Sequence, residues 1–144
     1  MNSQYPIALH IMGFLASRDE ALTSETLAKT YGTSPVVLRR VLAKLNRAGL
    51  VSTQRGVGGG SVLGRSAASI TLREVYEAIA DGSRLMPLFP KTVDGPVAPV
   101  LAGYVNELFA DAEEALLSQL GSVTVEEMDR DVRGRVRSAL RCAE

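Results

Sequence analysis

The chain has 144 residues, enough for one domain or a small domain with an appendage, and its 46% hydrophobic content is ample for a packed core. A formal net charge of zero excludes a global attraction to nucleic acid, and a lone cysteine, Cys142, excludes an internal disulfide or a thiolate metal cage. No apolar run is long enough to span a membrane and the N-terminus lacks the start of a signal peptide, so a cytoplasmic chain with no membrane partner is expected.

Taken in order, residues 5–17 read as a helix, with Pro6 in its first turn. Ile7, Leu9, Ile11, Met12, Phe14 and Leu15 make it apolar nearly all round, which predicts burial between other elements. His10, the single histidine, has no companion donors near it and reads as a packed or surface residue, not a metal ligand. Residues 22–32 form a short helix, capped by Thr23 and ended by Gly32, with Leu27, Ala28 and Tyr31 on one face. A tight turn then leads into a second helix. Ser34 suits its N-cap, Pro35 its first position and Gly49 the left-handed residue past its end. Leu38, Val41, Leu42, Leu45 and Ala48 fall on one face of this helix. Val36, Arg39, Arg40, Ala43 and Arg47 fall on the other, with Lys44 at the border. Such a division suits a helix laid in a major groove.

Two short β-prone runs follow, 50–54 and 61–63, around a glycine-rich tip led by Arg55. Glycines let backbone approach a ligand, and an Arg at such a tip suits a narrow minor groove. Helix, turn, basic helix and hairpin together make a winged helix-turn-helix. Charge placement agrees with that reading. Residues 1–80 carry nine Lys/Arg against five Asp/Glu, residues 81–144 seven against eleven, and no acid lies between Glu25 and Glu74.

Thr71 and Glu74 form a capping box with Ile70 and Val75 as its staple, opening a helix that turns Leu72, Val75, Tyr76 and Ile79 inward and stops at Gly82. Residues 83–97 read as a loop whose Leu85, Met86, Leu88 and Phe89 pack on the body, and as the junction between units. A long helix is expected over 98–120. Leu101, Tyr104, Val105, Leu108, Phe109, Ala112, Leu116 and Leu120 line its apolar stripe; Asn106, Glu107, Asp111, Glu113 and Glu114 lie mostly opposite. Val123, Thr124, Glu127 and Met128 repeat the box and staple for a last helix with a narrow stripe of Met128, Val132, Val136 and Leu140. A long amphipathic helix beyond a compact domain needs burial, so a homodimer seam is expected at Leu101, Val105, Leu108, Ala112 and Leu116. The expected division is 1–82 as DNA-binding domain, 83–97 as junction and 98–144 as dimerisation helices.

These runs resemble the Rrf2 family of winged helix-turn-helix regulators over nearly the whole chain. Residues 22–28 resemble the family's helix before the turn, 38–51 its recognition helix, 55–60 its wing and 70–75 the helix after it. The resemblance implies a homodimeric DNA-binding transcription factor, usually a repressor, with a wing Arg in the minor groove. Cluster-binding members carry three cysteines after the post-wing helix. Residues 83–105 have none, and Ala98-Pro99-Val100 stands where some members keep Cys-Pro-Val, so no cofactor and no metal is expected.

The expected partners are double-stranded DNA and a second copy, with a small-molecule effector possible near the apolar loop. Val36, Arg39 and Arg40 are assigned to base edges or phosphates, Ser34 to a phosphate, and Lys44 and Arg47 to the backbone. Arg55 with Gly56, Gly58, Gly59 and Gly60 is assigned to the minor groove. Two other readings stand beside this one. A winged helix could serve protein binding, though it would not need the acid-free stretch. An enzyme could use the loop 56–61 as a nucleotide cradle, though that loop lacks the Gly-Lys-Ser/Thr ending.

Overall fold

The computed structural model describes residues 4–84, 88 and 95–142. Its elements are α1 (Gln4–Ala16), α2 (Ser24–Tyr31), α3 (Pro35–Arg47), β1 (Val51–Gln54), β2 (Gly60–Leu63), a 3-10 turn at Ala67–Ser69, α4 (Leu72–Ala80), α5 (Val97–Gly121) and α6 (Val125–Arg141). The fold is mainly helical with one antiparallel hairpin, in register Val51 with Leu63 and Gln54 with Gly60.

The all-round apolarity of α1 is used in full: it touches α2, α3, α4, α6 and β2. Ile11 and Met12 on α1 meet Leu27 of α2, Leu38, Val41 and Leu45 of α3, and Val75 and Ile79 of α4 in a single core. Each large side chain so buried contributes about 1.5–3 kcal/mol relative to exposure. Tyr5 packs edge-on against Tyr76 and donates its hydroxyl to the carbonyl of Leu72, tying the start of α1 to α4.

Local signals set most helix ends. The Thr23 hydroxyl caps α2 and Gly32 closes it at φ 75°. Thr71 and Glu74 bond reciprocally, as do Thr124 and Glu127, and both Ile70 and Val75 of the first staple are fully buried. Two ends differ from expectation. Ala48 is the exposed C-cap of α3 and not part of its buried face, because the helix has ended there. The cap of α4 falls one residue early, at Asp81 (φ 51°), whose N–H bonds the Glu77 carbonyl, and Gly82 (φ 77°) continues the left-handed turn; Asp tolerates this conformation.

Beyond α4 the chain returns to the same core. Thr71 and Thr124 form an antiparallel bridge in which Leu72 N–H donates to Val123 and Val125 N–H to Ile70. This seats Val125 in the core and lays α6 along α1. In α5 only Ala102 is fully buried, against α4. The expected stripe divides: Val105, Phe109 and Leu120 are half-buried, whereas Leu101, Tyr104, Leu108, Ala112 and Leu116 are exposed. Asn106 and Glu113 are half-buried, and Glu113 sits 3.8 Å from Arg84. The division follows from the wheel: a straight helix on one neighbour buries an arc narrower than this stripe. Of the loop side chains expected to pack, Leu88 is exposed; Leu85, Met86 and Phe89 lie outside the described residues.

Candidate nucleic-acid interface

The turn Gly32–Thr33 sets α3 across α2, and the face of α3 opposite its buried Leu38, Val41 and Leu45 is open. Val36 is 61% exposed, and Arg39, Arg40, Ala43 and Arg47 are exposed beside it. Ser34 Oγ accepts the N–H of Val36 at 3.2 Å, which leaves its hydroxyl proton for another acceptor. Lys44 differs from this set. Its ammonium donates to the Ile79 carbonyl at 3.0 Å, in the last turn of α4, where a cation also meets the negative end of the helix dipole.

The hairpin stands beside α3, joined by a weak bond from Asn46 Nδ2 to Thr53 Oγ1 at 3.4 Å. Arg55, Gly56, Val57 and Gly58 form its exposed tip, with Gly56 and Gly58 at positive φ. Gly59 and Gly60 serve the hairpin itself. A Cβ on Gly59 would stand 2.5 Å from the Gln54 carbonyl oxygen, and one on Gly60 2.6 Å from the Leu22 carbonyl. Leu22 lies there because it pairs with Ser61 through N–H···O bonds of 3.0 and 2.8 Å, adding a third strand segment to the hairpin.

The fold also sorts the cations of the acid-free stretch. Arg65 pairs with Glu74 and bonds the Ser69 carbonyl; Arg73 binds Glu77 at 2.8 Å and reaches Glu114 at 3.6 Å. The carboxylates hold the Arg73 guanidinium above its ordinary pKa, with the Glu77 hydrogen bond the main cause. Among the described residues Arg39 meets Glu25 alone, at 3.9 Å across solvent. Arg40, Arg47 and Arg55 have no ion-pair partner among the described residues. Between α3, the hairpin and the start of α2 runs an open cleft of about 610 Å³ lined by Arg39, Arg47, Asn46, Thr53, Thr23 and Ser24. The last four escaped the sequence reading as site residues, since neutral polar side chains carry no charge signal.

The outward side of α5 presents Leu101, Leu108, Ala112 and Leu116, with Val105 half-buried at its edge. Among the described residues no three His, Cys, Asp or Glu side chains converge. His10 packs between the Phe14 and Tyr31 rings, and Cys142 is exposed at the end of α6. One exposed thiol and one packed imidazole do not fit an iron or iron–sulfur centre, which needs several convergent soft donors.

The model of the Rrf2 family, described as iron-dependent transcriptional regulators, matches residues 1–131. The HTH-type transcriptional regulator YwnA of Bacillus subtilis is 32% identical over 132 residues, covering 89% of this chain and 96% of that protein. Among solved structures, CymR, the global cysteine regulator of B. subtilis, superposes with TM-score 0.67 at 25% identity over 90% of this chain and 95% of its own. IscR of T. potens shares the fold, with TM-score 0.69 at 21% identity over 92% and 87% of the two chains. With its helix-turn-helix, its hairpin and its long α5, this chain belongs to the Rrf2 family of transcriptional regulators.

Proposed function

We propose that the protein works in the cytoplasm as a homodimeric repressor on a pseudo-palindromic operator. The observation that carries this is the open face of α3: Val36, Arg39, Arg40 and Arg47 stand exposed on a helix that buries Leu38, Val41 and Leu45 on its other side. In this reading α3 enters the major groove with Val36, Arg39 and Arg40 at base edges and Arg47 at a phosphate. The Ser34 hydroxyl serves a phosphate. Arg55, Gly56 and Gly58 enter the minor groove, while Gly59 and Gly60 hold the tip in shape. Lys44 is reserved for α4.

One such helix reads too few base pairs to find a site in a genome, and two related by a twofold axis read enough. The exposed side of α5 supplies an apolar, self-complementary seam for that axis, through Leu101, Val105, Leu108, Ala112 and Leu116. Its chemistry needs no metal; a small-molecule effector would set occupancy. The test is selection of bound fragments from randomised or genomic DNA by purified protein. Enrichment of an inverted repeat with half-sites about one helical turn apart, or a multiple, is expected. Binding with no sequence preference and no salt dependence would refute it.

A further inference from the structure

Between α1 and α6 lies a second open cleft, of about 800 Å³, which neither the reading helix nor the seam uses. We infer that this cleft is a binding site for a small aromatic carboxylate. Its size falls in the range of small-molecule sites, about 300–1,000 Å³. Three rings line it: His10 and Phe14 with centroids 4.8 Å apart, and Tyr31 edge-on to His10, also at 4.8 Å. Met128 and Val132 of α6 form the facing wall, across Gly13 of α1. Flat apolar walls of this kind select a planar ring.

The polar groups specify the charge. The Arg18 guanidinium stands 5.5 Å from the Phe14 centroid and has no ion-pair partner among the described residues. Arg133, on the opposite wall, holds Asp129 at 2.9 Å. Two cations and one anion at the rim favour a carboxylate and oppose an amine. The Nε2 atom of His10 is buried without a hydrogen-bond partner, an orphan of the kind that a ligand or a shift of its neighbours relieves. Burial also holds the His10 pKa below the ordinary histidine value, which favours the uncharged ring.

Tyr31 is the last residue of α2, next to the turn that aims α3. A ring wedged against it would bear on that turn, a coupling that rests on the DNA-binding reading.

The test is calorimetric titration of the full chain with 1-naphthoate, 1-naphthalenemethanol and 1-naphthylmethylamine. The acid should bind at one site per chain, about five-fold or more tighter than the alcohol, with the amine weakest. Arg18→Ala, at an exposed position, should bring the acid down to the alcohol. Val132→Phe, on the exposed wall of the cleft, should abolish binding; Val132→Trp does the same should the first variant not fill it. No binding up to about 1 mM, equal affinity for all three compounds, or unchanged binding in a folded filled variant would overturn the site. Naphthoate should also change affinity for selected DNA about three-fold or more. Binding without that change would overturn the coupling alone, and leave the site.

Discussion

The ammonium of Lys44 lies 3.0 Å from the carbonyl oxygen of Ile79, so one cation in the last turn of the basic helix points into the protein and fastens α3 to the end of α4. Lys44→Ala should therefore act on folding first. A hydrogen bond involving a charged group is worth about 1.5–3 kcal/mol, and the half-buried setting puts the expected loss near the lower end. Thermal denaturation should show a lower Tm, while the salt dependence of DNA binding by the folded protein should stay unchanged. A reduced salt slope at unchanged Tm would instead make Lys44 a phosphate contact.

Gly60 and Arg55 separate the frame of the hairpin from its contact. Gly60→Ala drives a Cβ into the Leu22 backbone, where the Leu22–Ser61 pairing leaves no room. A cost of about 1–3 kcal/mol is expected, read as a fall in Tm. Arg55→Ala, at the exposed tip, should leave Tm unchanged and weaken binding most where the flanking minor groove is A·T-rich. Equal losses on A·T and G·C flanks would reduce Arg55 to a plain phosphate contact.

Arg40→Ala should weaken binding to the selected operator by about 1–3 kcal/mol if its guanidinium meets a base edge, with specificity relaxed at one position of each half-site. Fluorescence anisotropy on a set of singly substituted operators reads this. Uniform loss across the set would move Arg40 to the phosphates.

Leu108 is 49% exposed on the outer side of α5. Leu108→Asp places a carboxylate in the proposed seam, where burial without a partner is costly. Sedimentation should show monomer or aggregate, and palindrome binding should suffer more than nonspecific binding. A wild-type chain that sediments as monomer at micromolar concentration, yet binds a full operator tightly, would refute the seam.

Glu74 contributes to the acid sensitivity of the fold. The Thr71 backbone N–H, foremost, and then Arg65 hold its carboxyl below the ordinary range. A depressed folded-state pKa means that the unfolded chain takes up the proton first. The stabilisation is present above about pH 4.3, the ordinary Glu value, and is lost as pH falls through the depressed one. Glu74→Gln keeps a capping partner but cannot titrate. Its Tm should fall less than that of the wild type between about pH 5 and about pH 3. Parallel curves would contradict the assignment.

What the sequence determined by itself is local. Caps at Thr23, Ser34, Thr71 and Thr124 are bonded within two or three residues, so the residue types in that short window suffice. The two faces of α3 follow from its period alone, and the family resemblance rested on such runs. Tertiary structure decided what long-range packing controls. Which cations stay unpaired depends on partners far along the chain, 35 residues from Lys44 to Ile79 and further from Arg73 to Glu114. The arc of α5 left open depends on where α4 lies, and the demand for glycine at position 60 on Leu22 crossing the hairpin. Helical periodicity ranks the faces of an element, but only the neighbours that fold against it decide how wide an arc they cover and which charges they neutralise.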